Sequence, residues 1–235
     1  MSAVIETDVV ILGGGIVGAS AALMLVRMGK RVALLERDFC GSHSSGVNYG
    51  GVRRQGRPLS QLPLSQRAHQ IWGLLHELIG IDGEYVRSGH LKLARSHEDM
   101  AALQAYAEDS QGFGLGLQLL DRAELRARFP WVGDVAVGAS LCPDDGHANP
   151  RLVSPAFARA AQRLGAQVFE QANVIDVAHD GQMFQVRSAK GLTVRAPWLL
   201  NCAGAWAGTL AAKFGEPVSM QSRSEERRVG KECPR

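Results

Sequence analysis

The stretch Asp8-Val9-Val10-Ile11-Leu12-Gly13-Gly14-Gly15-Ile16-Val17-Gly18, with Glu36 eighteen residues past Gly18, decides the fold. Asp8 to Leu12 is a short apolar run rich in β-branched residues, the pattern of a buried parallel strand. Ile16 to Met28, rich in Ala, Leu and Met, predicts a helix stopped by Gly29, and Arg31 to Glu36 predicts a second strand. Strand, turn, helix and strand within about thirty residues make a βαβ unit. In that setting Gly13-x-Gly15-x-x-Gly18 is a dinucleotide-binding loop. Gly13 permits the tight turn, Gly15 lets backbone amides approach a pyrophosphate, and Gly18 lets the helix pack close to the strand. The anion would sit on the unpaired amides and positive dipole of the helix N-terminus. Glu36 is placed to accept hydrogen bonds from the adenosine ribose. FAD and NAD share this unit, so the loop leaves the choice between them open.

Outward from the loop, Arg37 to Ser65 is rich in Gly, Pro, Ser and Arg with little periodicity, and a loop of that length inside a domain is usually functional. Leu64 to Ile79 has helical spacing, with Ile71, Leu74, Leu75 and Leu78 on one face. Short strands follow at Tyr85 to Ser88 and Leu91 to Ala94. Ser96 with Asp99, and Asp121 with Glu124, mark helix starts. Asn149-Pro150 opens a helix to Leu164 with Gly165 as its stop. Strands are then expected at Gln167 to Glu170, Asn173 to His179, Met183 to Arg187, Leu192 to Arg195 and Trp198 to Asn201, with a last helix ending near Gly215. The expected fold class is α/β: a Rossmann-like βαβ dinucleotide-binding domain with an inserted, incomplete, mixed α+β substrate domain. The expected boundaries are 1–80 and 145–221 for the discontinuous binding domain and 81–144 for the start of the substrate domain.

Residues 222–235 read differently. Arg223-Ser224-Glu225-Glu226-Arg227-Arg228-Val229-Gly230-Lys231-Glu232-Cys233 loses all apolar periodicity and reads as the in-frame translation of a common short-read sequencing adapter, a non-native tail. Setting aside its five Lys/Arg and three Glu lowers the formal net charge from +3 to +1. Nothing then points to nucleic acid or an anionic membrane as partner. Cys40, Cys142, Cys202 and Cys233 form no C-x-x-C pair, so no metal site is expected and a reduced, cytoplasmic setting is. Val9 to Val26 carries no charge, but three consecutive glycines near its start argue against a membrane span.

Arg37, the segment from Gly41 to Arg53, and Asn201-Cys202-Ala203-Gly204-Ala205-Trp206 together with the glycine loop resemble the D-amino-acid oxidase family of FAD-dependent oxidoreductases, over about residues 5 to 221. The resemblance implies FAD as the cofactor, with Gly13, Gly14, Gly15, Gly18, Glu36 and Arg37 on its adenosine side. Ser44, Ser45, Gly50, Gly51 and Val52 would line the pyrophosphate and flavin side, where hydroxyls and bare amides donate to phosphate without filling the cofactor's space. Val174 matches the position whose backbone contacts adenine, and Ala203-Gly204 the small pair where a returning strand passes the cofactor. The implied reaction is oxidation of a C–N bond in a small-molecule amino acid or secondary amine, with oxygen or an electron-acceptor subunit taking the electrons. The alternatives are a 2-hydroxy-acid or polyol-phosphate dehydrogenase, and a cofactor-binding fragment without activity. Family extent implies that the locus continues past Gln221 for on the order of 150 residues. The catalytic residues stay unassigned. Arg53, Arg54 and Arg57 suit a carboxylate clamp but equally a solvated loop. His90 and His147 could serve acid-base chemistry or merely structure.

Overall fold

The computed structural model describes residues 4–220, and the tail expected at 222–235, with Cys233, lies outside them. The chain divides into two compact units, one running to Gly46 and resuming at Ser154, the other Val47–Val153. These junctions differ from the 80/81 and 144/145 read from the sequence. The physical reason is that the segment after Gly46 makes its partners in the middle of the chain. Leu62 packs with Leu115 and Cys142, and Gly51 pairs with His147.

The first unit begins with β1 (Val4–Glu6), β2 (Val9–Leu12), α1 (Ile16–Arg27) and β3 (Val32–Leu35). Every residue of β2 and β3 is buried, as their unbroken apolar runs require in a sheet covered on both faces. α1 ends at Gly29, whose φ of 77° lets Gly29 N–H reach Val26 O and Lys30 N–H reach Leu25 O.

The second unit holds β4 (Gly51–Val52), α2 (Leu62–Trp72), α3 (Leu75–Ile79), β5 (His90–Ala94), α4 (His97–Asp109), β6 (Gln118–Asp121), α5 (Arg122–Arg128), β7 (Gly138–Cys142) and β8 (Gly146–His147). β4 pairs antiparallel with β8, and β5, β7 and β6 form an antiparallel sheet in that order. The helix expected over Leu64 to Ile79 is two helices, interrupted where Gly73 caps α2 and Leu74 leaves helical geometry. Of the face expected to be buried only Leu75 is; Leu74 stays 52% exposed. The strand expected at Tyr85 to Ser88 shrinks to one bridge between Val86 and His147. Both helix starts hold. Ser96 accepts from Asp99 N–H, and Asp121 with Glu124 closes a reciprocal capping box. Asp121→Ala should cost about 1 kcal/mol in a urea melt; an unchanged midpoint would show that the box adds nothing.

α6 (Pro150–Arg163) leads back into the first unit, followed by β9 (Gln167–Phe169), β10 (Val174–His179), β11 (Phe184–Ser188), β12 (Thr193–Ala196), β13 (Trp198–Asn201) and α7 (Ala207–Lys213). β13, β2, β3 and β9 form a parallel sheet in that order, and β1, β12, β11 and β10 a second sheet. Val10, Leu12, Ala33 and Leu35 share a core with Val177, Val186 and Val194 of the second sheet. β13 is the outer strand of the parallel sheet, and its Trp198 is 70% exposed. No helix among the described residues is long and apolar enough to cross a membrane.

Candidate functional site

The sheet order makes the site. With β2 between β13 and β3, the turn after β2 is flanked by the ends of both neighbours: Gly13 N–H donates to Leu35 O and Cys202 N–H to Leu12 O. Gly13 adopts φ +108°, and a Cβ there would lie 2.3 Å from Cys202 O. A Cβ on Gly18 would lie 1.9 Å from Gly13 O, so helix and strand touch through backbone alone. Gly14 fits against Cys40 and Glu36, whose Sγ and Cβ would stand 2.6 and 3.0 Å from a Cβ. Three glycines are thus compelled by packing. Gly15 differs, since a Cβ there would meet only the Ser45 side chain, at 3.0 Å.

Helix α1 starts at Gly15 with no capping side chain of its own and no acidic residue in its first turn. An uncapped positive end of this kind suits an anion. Ser45 Oγ accepts from Ile16 N–H at 2.9 Å, which brings the hydroxyl to that helix end from the loop after β3.

Glu36, 7% exposed, accepts from Gly14 N–H through Oε2 at 2.7 Å and from Asp38 N–H through Oε1 at 2.9 Å. The carboxylate therefore braces the glycine loop as well as facing the pocket, a role the sequence did not reveal. Each oxygen keeps acceptor capacity beyond its one amide, so a hydroxyl can still be bound. Glu36→Ala should cost about 2 kcal/mol by orphaning two amides. A denaturant melt matching the parent would remove the brace from the account.

Arg37 is held rather than free. Its guanidinium lies 4.2 Å from the Trp206 ring centroid, with Nε 3.1 Å from Asp38 Oδ2. His43 Nε2 is 2.7 Å from the same Oδ2, and its ring meets Trp206 edge-on at 5.5 Å. Hydrogen bonds from His43 and then Arg37 hold the Asp38 carboxyl below the usual carboxylate range. Glu36, Asp38 and His43 bring ligand atoms within 4.8 Å of one another; His43 Nε2 and Asp38 Oδ2 are joined directly, while Glu36 Oε1 takes the Asp38 backbone N–H. The set forms part of a hydrogen-bonded rim.

These groups line one pocket of about 440 Å³. It brings together Gly13, Gly15, Glu36, Arg37, Ser44 and Ser45 with Val174, Ala203 and Gly204. Val174 sits where β10 slips register against β11, between Val174 and Asp176. Gly14 and Gly18 support the wall from behind. Gly50, Gly51 and Val52 belong to the second unit and are not part of this pocket. Sequence reasoning quoted Trp206 in a motif without giving it a lining role, and missed Thr209 and Lys213, since nothing in α7 signals a site. Cys40, outside the pocket lining, is buried beside Glu170 and Glu36, where burial above all pushes the thiol up to about 12.

A family model described as FAD dependent oxidoreductase, of the DAO type, matches residues 8–230. The chain belongs to this family. FAD is its cofactor, and the pocket passes the corresponding test: glycine cradle, uncapped helix end and buried ribose-type acceptor lie in one wall. The chain is 32% identical over 216 residues to glycine oxidase of Bacillus licheniformis, covering 88% of this chain and 57% of that protein. It is 30% identical over 219 residues to L-2-hydroxyglutarate dehydrogenase of Salmonella houtenae, covering 88% and 50%. The crystal structure of glycine oxidase from Geobacillus kaustophilus superposes with a TM-score of 0.80 at 31% identity, over 89% of this chain and 58% of that one. The chain spans about half the length of the curated relatives it matches.

The remaining candidates fall in the second unit. Arg54, 3% exposed, is paired with Asp145, which is fully buried, and so is no clamp for substrate. His147 lies 3.0 Å from Ser88 Oγ. His90 is pushed below the ordinary imidazole range by burial, then by Arg53, and its Nδ1 has no partner.

Proposed function

We propose that the protein oxidises the C–N bond of an amino acid or secondary amine in a reduced, cytoplasmic setting. The first unit would be the FAD-binding domain and the second the start of the substrate domain. The observation that carries the reading is the pocket built on Gly13, Gly15 and Glu36, together with a relative named for oxidising glycine. Bound FAD would supply a hydride acceptor whose electrons pass on to oxygen or an electron-acceptor subunit. The chain's residues would do the holding: α1 amides and Ser45 for the pyrophosphate, Glu36 for the ribose, Val174 and Ala203-Gly204 along the adenosine. Ser44 would join the pyrophosphate side, and Arg37 would act from its seat on Trp206. Gly14 and Gly18 would keep the loop's shape, and Gly50, Gly51 and Val52 would present backbone to the flavin side.

Oxidation of a 2-hydroxy acid is the second reading, favoured by the likeness to L-2-hydroxyglutarate dehydrogenase. Anaerobic bleaching of the FAD-loaded protein with amino acids, secondary amines and 2-hydroxy acids separates the readings. Bleaching by amines alone is expected. Bleaching by hydroxy acids alone would replace the first reading with the second, and retained flavin that no substrate bleaches would mark the chain as a cofactor-binding fragment.

A further inference from the structure

We propose that His43 is a titratable positioning residue for Arg37: on taking a proton from solvent it gives up the guanidinium and shares Asp38, leaving Arg37 a free donor for the cofactor's diphosphate. The observation is one nitrogen with two claimants. His43 Nε2 lies 2.7 Å from Asp38 Oδ2 and 3.1 Å from Arg37 Nη2. A guanidinium can only donate and a carboxylate can only accept. Nε2 needs a lone pair to serve Arg37 and a proton to serve Asp38, so it serves one at a time.

Neutral His43 can accept from Arg37 Nη2 while Arg37 Nε donates to Asp38 Oδ2 at 3.1 Å, and one carboxylate then answers one cation. Imidazolium has no lone pair to offer. Nη2 loses its acceptor, and Asp38 alone answers two positive charges. Arg37 stays 4.2 Å from the Trp206 centroid, with donors and charge to spare. The charged groups facing His43 are Arg37 and Asp38 of its own loop and Glu36 just after β3, whose carboxylate comes within 4.8 Å. Trp206 brings no charge, and the first turn of α1 no acid. Bonds from His43 and then Arg37 hold Asp38 below the usual carboxylate range, so it stays ionised where histidine titrates. Both His43 and Arg37 line the pocket, and His43 is the only histidine that does so among the described residues. A diphosphate there favours the protonated state, and reciprocally that state favours the diphosphate. The side chains of Arg37, Asp38 and His43 are 39%, 49% and 42% exposed, so solvent screening holds the effect to a several-fold change.

The inference rests on the reading that sets the diphosphate at the α1 end of this pocket. Equilibrium titration of the flavin-free 235-residue chain with FAD at about pH 5.5, 7 and 8.5, a span that covers the histidine range, tests it. Expected is an affinity at least about fivefold higher at the lowest pH than at the highest. His43→Gln keeps a hydrogen-bonding head that takes no proton, and its affinity should vary less than about twofold. Arg37→Gln should bind more weakly at every pH and also vary less than about twofold, because nothing then contests Asp38. Calorimetry of the parent in two buffers of different ionisation enthalpy should show net proton uptake on binding near neutral pH, a readout that needs no variant. A parent affinity flat across the range, either variant as pH-dependent as the parent, or no proton uptake would each overturn the role of His43 and leave the diphosphate's placement standing. No FAD binding at all, or parent FAD affinity in Gly15→Asp, would overturn the placement and the inference together.

Discussion

Gly15→Asp should leave the protein folded and without flavin. Gly15 sits at φ −68° and ψ −177°, extended backbone open to any residue, and a Cβ there meets only the far end of Ser45. It is also the residue that precedes the first turn of α1, where Asp is among the best helix caps, so the new cap offsets the small shift its Cβ asks of Ser45. The cost falls on binding. A carboxylate beside a pyrophosphate repels it by about 4 kcal/mol at a separation of about 4 Å and an effective dielectric of about 20, roughly a thousandfold in affinity. The variant should melt at or above the parent temperature and purify colourless. A yellow preparation with the parent flavin content would break the link between this helix end and the cofactor.

In the second unit the largest loss is expected from Asp145→Ala, about 3–5 kcal/mol in urea. Asp145 is fully buried, and its two oxygens accept from Arg54 N–H at 2.9 Å, Gln55 N–H at 3.0 Å and Arg54 Nε at 3.0 Å. Truncation leaves a buried guanidinium with only the exposed Asp144 carboxylate, at 3.9 Å, and two amides without an acceptor. Removing both charges, as in Arg54→Met/Asp145→Leu, should recover only part of the loss, because each orphaned amide still costs about 1–3 kcal/mol. Full recovery in the double variant would show that the ion pair alone mattered, and an Asp145→Ala midpoint equal to the parent's would refute the whole arrangement.

What could be read from the sequence follows from how local each signal is. The βαβ unit was legible because its glycine spacing, with Gly18 packed directly on Gly13, lies within one short turn, and because β2 and β3 are buried throughout. Helix starts at Ser96 and Asp121 were legible because a cap is complete within four residues. β7 was not, since Gly-Ala-Ser-Leu-Cys lacks alternation, and only its two partner strands make it one. Nor could the sequence separate Arg54 from Arg53 and Arg57. The distinction lies in Asp145, more than ninety positions along the chain from Arg54. Glu36 shows both halves of this. Its place just after β3 gave the expectation of a ribose contact, while its bonds to Gly14 and Asp38 emerged only in three dimensions.

The central claim is that the Gly13–Glu36 pocket holds the ADP half of FAD. Equilibrium titration of the flavin-free chain with FAD, FMN and ADP tests it most directly. The account predicts tight FAD binding displaced by ADP, with FMN, which lacks the adenosine half, binding far more weakly. FMN binding as tightly as FAD, or ADP failing to displace FAD, would contradict it.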